Sequence, residues 1–170
     1  MKGSIKFGFL LVLLVYCFSG CVSNKEEYYK GRPLEIAVVG TVPSYNFDGV
    51  NFVNVNIDDL FKTYGYYDAL FVTEETFSKT SEDKYIDLYR SLPYPTFFIG
   101  LNEAIEAFVE EGFSLRDFEE SQSVSFAQGY YKYDEGRKYI TFVPPEPLET
   151  EEDYHSIYIE ILYTIDGFQY

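Results

Sequence analysis

Six polar residues stand at or just after the ends of apolar runs, where side chains could bind or transform a ligand. The three runs cover residues 34–40, 68–73 and 95–100, and each has the length and composition of a buried strand. Open α/β sheets bind their ligands beyond the carboxyl ends of the strands. We therefore expect a ligand to be faced by Thr41, Ser44, Thr73, Glu74, Asn102 and Glu103.

Two of these residues, Glu74 and Glu103, could converge as a carboxylate pair for general acid–base catalysis. Such a pair would make the protein a small hydrolase or transferase. The other interpretation is structural, because glutamates in the first turn of a helix interact favourably with the helix dipole. The sequence favours the structural interpretation and leaves the catalytic one open.

Other kinds of active site lack their characteristic residues. Nucleophilic catalysis by serine or cysteine needs a base beside the nucleophile. The sequence offers a single histidine for that role, His155. His155 stands among acidic residues at the start of the last predicted helix, so we expect an exposed side chain. Zinc sites need clustered His or Cys ligands, calcium loops have a defined pattern, and phosphate cradles need a glycine-rich turn that opens a helix. We predict no metal, no cofactor and no nucleotide ligand.

The amino-terminal stretch has the layout of a signal peptide. Lys2 and Lys6 precede an apolar run over residues 7–18, which closes on Ser19 and Gly20 before Cys21. A charged start, an apolar centre and small residues at the exit are the three parts of such a signal. A helix that spans a membrane needs roughly 20 apolar residues, so this run is shorter than a typical transmembrane helix.

The sequence Phe18-Ser19-Gly20-Cys21 resembles the lipobox of bacterial lipoproteins. Most members of that family have leucine where Phe18 stands. The resemblance implies that residues 1–20 are removed and that Cys21 carries diacylglycerol and palmitate, which places the chain at the extracytoplasmic face of the cell membrane. A plain secretory signal and an uncleaved anchor are the alternatives. The resemblance leaves the processed chain without a free thiol or a disulfide.

The processed chain is strongly acidic. Loss of Lys2 and Lys6 with the signal leaves 11 basic side chains beside all 28 acidic ones, a formal charge of about −17. Such a charge repels phosphate backbones, so nucleic acid is excluded as a partner. Residues 21–33 are polar and aperiodic, and we predict a lipidated amino terminus with a flexible tether there. Residues 34–170 form one predicted domain.

The predicted elements alternate between strand and helix. The three apolar runs are predicted as parallel strands, residues 51–56 as an edge strand, and residues 124–143 as a β-hairpin with its turn at 134–137. The capping patterns predict short helices after Asn56 and Ser114 and longer ones over 81–92, 102–111 and from Thr150 onward, the last burying Tyr154 in the core.

Alternating strands and helices favour an α/β fold with a mainly parallel sheet. We predict a small three-layer sandwich with the first strand at its centre. Its order of elements loosely resembles flavodoxin-like or Rossmann-like sheets, and that likeness carries no motif.

Two function classes remain. The first is a membrane-anchored, non-enzymatic module that binds a protein or another envelope component, because a lipobox-like end precedes a domain without catalytic groups. The second is the carboxylate-dependent hydrolase or transferase. A transporter-linked solute receptor is disfavoured, since a single domain has no second lobe to close over a ligand.

Overall fold

The computed structural model describes residues 28–62, 64–102, 104–118, 125–133, 136–144 and 150–168. Cys21, the signal-like stretch and Glu103 lie outside these ranges. The predicted lipidation of Cys21 and the predicted carboxylate pair with Glu103 therefore concern residues outside the described ranges.

One mixed sheet of six strands organises the described residues. Its strands are β1 Leu34–Val39, β2 Val50–Asn54, β3 Ala69–Thr73, β4 Thr96–Ile99, β5 Ala127–Tyr133 and β6 Gly136–Phe142. They pair in the order β2-β1-β3-β4-β5-β6, in which the first four strands are parallel and β5 and β6 continue the sheet as an antiparallel hairpin. The predicted small α/β fold is confirmed.

Helices cover both faces of this sheet. The α-helices are α1 Ile57–Leu60, α2 Phe77–Thr80, α3 Ile86–Ser91, α4 Glu106–Val109 and α5 Glu151–Asp166. The four short helices α1 to α4 pack on one face, and the long helix α5 packs on the other. Each face has its own buried apolar cluster, which gives the three layers that the sequence predicts.

The alternation of side chains along the strands connects the two clusters. In β4, Phe98 points to the short helices and its ring centroid lies 4.2 Å from that of Phe108. Phe97 points to the other face and lies 5.9 Å from Phe71. Because both faces are covered, the central strands are apolar on both sides and appear in the sequence as continuous apolar runs.

The first strand is not at the centre of the sheet. β1 lies between β2 and β3, one place in from the edge. The hairpin adds two strands beyond β4, so β3 and β4 take the middle positions. The predicted edge strand is confirmed as β2.

Two predicted helices are shorter than their capping signals indicate. Ser81 does not begin a helix but ends α2, where its amide donates to the carbonyl of Phe77 at 2.9 Å. Glu82 then adopts an extended conformation, and a 3₁₀ turn leads into α3. Asn102 caps no helix either, because α4 begins four residues later, after Ile105. Gly112, three residues after α4, adopts the left-handed conformation that glycine allows, with φ of +83°.

The caps at Asn56 and Thr150 are confirmed. The Asn56 side chain accepts from the amide of Asp58 at 3.0 Å, and Thr150 forms a reciprocal capping box with Asp153. Tyr154 was predicted in the core and is instead 38% exposed. The residues of α5 that do enter the core are Ile157, Tyr158, Ile159, Ile161, Leu162 and Ile165.

The hairpin is tighter than predicted. The predicted turn includes Gly136 and Arg137, but these two residues pair with Tyr133 and Lys132 in the ladder. The connection between β5 and β6 therefore consists of residues 134–135, which lie outside the described residues.

Residues 28–33, the last part of the predicted tether, lie against the domain. Tyr29 is 3% exposed, and its ring centroid lies 5.2 Å from that of Tyr163 on α5. Arg32 forms ion pairs with Asp68 at 2.5 Å and with Asp166 at 3.4 Å. The chain thus approaches the amino end of β1 along the carboxyl end of α5.

An ion-pair cluster joins the short helices to the hairpin. Arg90 of α3 binds the Glu110 carboxylate at 3.0 Å and donates to the carbonyl of Val109 at 2.9 Å. Arg137 of β6 binds the same carboxylate from the other side. Glu110 therefore holds two guanidinium groups that come from distant parts of the chain.

Candidate functional site

An open cleft of about 440 Å³ lies at the carboxyl ends of the parallel strands. The ends of β3 and β4 and the loops after β1, β3 and β4 line it at residues 41–45, 73–75 and 99–100. Phe126 and the first two turns of α5 complete the described lining. The cleft therefore occupies the edge of the sheet at which a ligand is expected.

Two glycines let the chain turn sharply at this edge. Gly40 follows β1 with φ of +113°, and Gly100 follows β4 with φ of +87°. A Cβ atom on residue 40 would lie 1.9 Å from Oγ1 of Thr73, and one on residue 100 would lie 3.0 Å from Cβ of Glu74. The absence of side chains at both positions allows the loop after β3 to approach its neighbours.

A hydrogen-bond network orders the loops after β1 and β3. The amide of Thr41 donates to Oγ1 of Thr73 at 3.0 Å and to Oε1 of Glu75 at 2.5 Å. The Thr73 hydroxyl in turn donates to the carbonyl of Val39 at 3.3 Å. Burial alone would raise the pKa of Glu75, but hydrogen bonds from Thr41 and from its own amide hold that pKa below its ordinary value.

Four aromatic rings form a wall across the cleft. They belong to Tyr45, Phe126, Tyr154 and Tyr158. The ring centroid of Tyr158 lies 5.4 Å from that of Tyr45 and 5.5 Å from that of Phe126, and Phe126 lies 5.7 Å from Tyr154. These distances are typical of tilted and edge-to-face contacts. The wall is therefore a continuous apolar surface built from three separate segments.

The wall is tied to the start of α5. The hydroxyl of Tyr45 donates to Oε2 of Glu151 at 2.8 Å. Burial, reinforced by this hydrogen bond, raises the pKa of Tyr45 to about 12. Burial likewise raises the pKa of Tyr158 to about 12. Both phenols are thus neutral across the physiological pH range.

Glu74 differs from the other two carboxylates of the cleft. Its side chain is exposed beside Gly100, and among the described residues it has no hydrogen-bond or ion-pair partner. Glu75 and Glu151 are both hydrogen-bonded within the cleft. Glu74 is therefore the carboxylate that an incoming ligand would find unengaged within the described part of the chain.

Four of the six residues expected to face a ligand do line the cleft. They are Thr41, Ser44, Thr73 and Glu74. Asn102 is exposed but lies outside the lining, because Leu101 before it turns into the core, where it is 0% exposed. Glu103 falls outside the described residues, so its distance from Glu74 is not defined.

The aromatic wall and Glu151 were not expected at this site. Tyr154 and Tyr158 are four residues apart and therefore share one face of a helix, which is the signal that the sequence carries. That spacing is equally typical of a core face. Nothing in the sequence indicates that this face meets the loop after β1, about 110 residues earlier.

His155 belongs to a different part of the surface. It was expected to be exposed, but it is half-buried, and its ring stacks on Phe47 with centroids 4.9 Å apart. It does not line the cleft.

Within the described ranges no cluster of three or more His, Cys, Asp or Glu side chains is arranged to hold a metal ion. No helix of the described residues is long and apolar enough to cross a membrane.

Comparison of the chain with protein-family models, with curated proteins and with solved structures gives no significant match.

Proposed function

We propose that this chain is a lipid-anchored extracytoplasmic binding module that captures its ligand in the cleft. The observation that carries the proposal is that two of the three carboxylates among the described lining residues, those of Glu75 and Glu151, are held in hydrogen bonds within the protein. Glu75 accepts from Thr41 and Glu151 accepts from Tyr45. A general base works best when its pKa lies near the working pH, and the lowered pKa of Glu75 makes it a weak base. A preformed aromatic cleft in which Glu75 and Glu151 are already hydrogen-bonded within the protein suits binding.

The position of residues 28–33 supports a particular orientation at the membrane. This segment enters the domain at the amino end of β1, beside Asp166 at the end of α5. Glu151, at the start of α5, lies in the cleft. A helix of 16 residues is about 24 Å long. A lipid on Cys21 would therefore attach the domain at the end opposite the cleft, which favours an orientation with the cleft away from the bilayer.

Metabolic labelling tests the anchor. Radiolabelled palmitate should enter the wild-type chain and be absent from Cys21→Ala, because the lipobox resemblance assigns the acyl chains to this residue. The matched control is Cys17→Ala, which removes the other cysteine and should keep the label. Equal labelling of wild type and Cys21→Ala would contradict the anchor.

Site-specific photo-cross-linking in intact cells tests the cleft. A photoreactive amino acid in place of Ser44, which lines the cleft, should capture a partner. The same group in place of Asp87, an exposed residue of α3 on the other side of the sheet, should not. Capture that is equal at both positions, or absent at Ser44, would contradict ligand binding in the cleft.

The hydrolase or transferase remains the second candidate, because Glu74 presents an unengaged carboxylate among the described lining residues. A screen of the purified chain against generic ester, amide and glycoside substrates distinguishes the two. The binding module predicts no turnover. Turnover that disappears in Glu74→Ala would replace the binding proposal with the enzymatic one.

A further inference from the structure

The cleft combines negative charge with aromatic surface. Three glutamates, and no lysine, arginine or histidine, lie among its described lining residues. The wall of four aromatic rings lines the same cleft, and one of its rings, Tyr45, is hydrogen-bonded to Glu151. Ring faces attract cations through their quadrupole, and the strength of that attraction grows as the cation loses water. The carboxylates and the aromatic rings of the cleft therefore favour the same kind of ligand, a cation.

We propose that the cleft recognises a protonated alkylamine, with the ammonium group at Glu74 and the alkyl stem along the aromatic wall. This inference rests on the proposed binding function and names the chemistry of its ligand. Glu74 supplies the charge because the carboxylates of Glu75 and Glu151 are already hydrogen-bonded. The formal charge of the whole chain, −15, draws cations toward it from solution.

The competing ligand classes fit the cleft less well. An anion would meet three glutamates without a basic side chain among the described lining residues. The amino end of α5 offers an anion little, since Thr150 and Asp153 cap it and Glu151 lies beside it. A neutral apolar ligand would cover the wall but leave the Glu74 carboxylate partly desolvated without a counter-charge, which is unfavourable.

An NMR titration of the isotope-labelled full chain tests the inference. The probe is N-acetyl-lysine methylamide, and its matched control is N-acetyl-norleucine methylamide, which has an apolar side chain of similar reach without the ammonium group. The lysine derivative should shift the amide signals of residues 41–45 and 73–75. It should bind at least threefold more tightly than the norleucine derivative, with an affinity that falls as NaCl is added, because exposed charges are screened by salt.

A second titration arm separates two sources of the same amine chemistry. 1,5-Diaminopentane represents a free amine, and the lysine derivative represents an amine carried by a peptide. Tighter binding of the diamine assigns the cleft to small free amines, and tighter binding of the lysine derivative assigns it to peptides. Both results support recognition of an alkylammonium group.

One variant assigns the charge contribution to Glu74. Glu74→Gln should weaken binding of the lysine derivative about two- to fivefold, the range expected for one exposed ion pair, and leave the norleucine derivative unchanged. Glu160→Gln removes the same charge from an exposed position on α5 outside the cleft, so its effect on affinity should be much smaller. Equal weakening by the two variants would overturn the assignment of the ammonium site to Glu74.

The remaining outcomes separate this inference from the proposed function. Equal affinity for the lysine and norleucine derivatives would overturn recognition of the amine and leave the cleft as an apolar site. Absence of any amide shift, combined with capture of a partner from Ser44 in cells, would overturn the amine alone. Absence of both would overturn the amine and the binding cleft together.

Discussion

Replacement of Gly40 by alanine tests how the cleft is built. Gly40 has φ of +113°, and a Cβ atom there would lie 1.9 Å from Oγ1 of Thr73 and 2.9 Å from Oε1 of Glu75. Those two oxygens accept from the amide of Thr41. Gly40→Ala therefore strains the backbone and also displaces the groups that order the loop after β1.

Gly112 provides a control in which only the strain is present. Its φ is +83°, and a Cβ atom there would meet nothing within 4 Å. Left-handed backbone costs an alanine about 1–2 kcal/mol, and the stiffer unfolded chain offsets about 0.4–1 kcal/mol of this. We expect Gly112→Ala to lower the free energy of unfolding by about 1 kcal/mol.

Gly40→Ala should cost considerably more. Its backbone strain is about 1–3 kcal/mol, and loss of the hydrogen bond from Thr41 to Thr73 adds about 0.5–1.5 kcal/mol. The stiffer unfolded chain offsets part of this cost, as it does for Gly112→Ala, whereas displacement of Thr73 adds to it. We therefore expect Gly40→Ala to lower the free energy of unfolding by about 3 kcal/mol, roughly 2 kcal/mol more than Gly112→Ala does.

Urea unfolding of the purified wild type and both variants, followed by far-UV circular dichroism, measures the difference. The comparison is valid when the three chains share one denaturant slope. Equal losses for Gly40→Ala and Gly112→Ala, or a smaller loss for Gly40→Ala, would refute the close packing of the loops after β1 and β3.

Three further changes test other parts of the structure by urea unfolding. Glu110→Ala should lower the free energy of unfolding by about 1–3 kcal/mol, because two partly buried guanidinium groups lose the carboxylate that they share. Glu111→Ala, at a side chain 78% exposed, should change it by less than about 0.5 kcal/mol, and equal effects would contradict the role of Glu110. The ionised Glu75 stabilises the fold at pH values above its ordinary pKa of about 4.5, and this stabilisation is lost as the pH falls through the lowered pKa of the folded state. Glu75→Gln should therefore lose less stability on acidification than wild type. Parallel plots of unfolding free energy against pH for the two chains would argue against the lowered pKa. The raised pKa of Tyr45 stabilises the fold fully below about pH 10, and this stabilisation is lost as the pH rises to about 12. The free energy of unfolding of Tyr45→Phe should therefore decline less steeply with alkaline pH than that of wild type. A decline as steep as that of wild type would count against the burial of that hydroxyl and its bond to Glu151.

The strands were predictable because each carries its own signal. β1, β3 and β4 are buried on both faces, and their continuous apolar runs predict them to within one residue at each end. The cap at Thr150 was predictable for the same reason, since a capping box is a local interaction.

The helix expected over residues 81–92 was not predictable, because distant contacts outweigh its local signals. Ser81 has the chemistry of a helix cap, but the Tyr89 hydroxyl donates to the carbonyl of Thr80 at 2.9 Å, and the Tyr85 hydroxyl donates to Asp58 at 2.7 Å. These bonds hold the chain in two short helices with an extended residue between them. Capping preferences of about 1 kcal/mol are easily outweighed by the packing of two buried tyrosines.

The cleft divides in the same way between local and distant information. Thr41, Ser44, Thr73 and Glu74 were identified because parallel strands bring their carboxyl ends to one edge of a sheet. The sequence by itself therefore determined the polar side of the site. It also determined the chemistry of the amino-terminal stretch on which the expected anchor at Cys21 depends.

Only the tertiary structure decided which surface faces these residues. Tyr154 and Tyr158 share a helix face by their spacing alone, but that face becomes the wall of the cleft because α5 packs across the sheet with Glu151 at the carboxyl ends of the strands. Helix placement results from the fit of a whole apolar face against the sheet, which no short stretch of sequence encodes. The same placement brings Asp166 to Arg32 at the opposite end, and so separates the cleft from the point where the chain enters the domain.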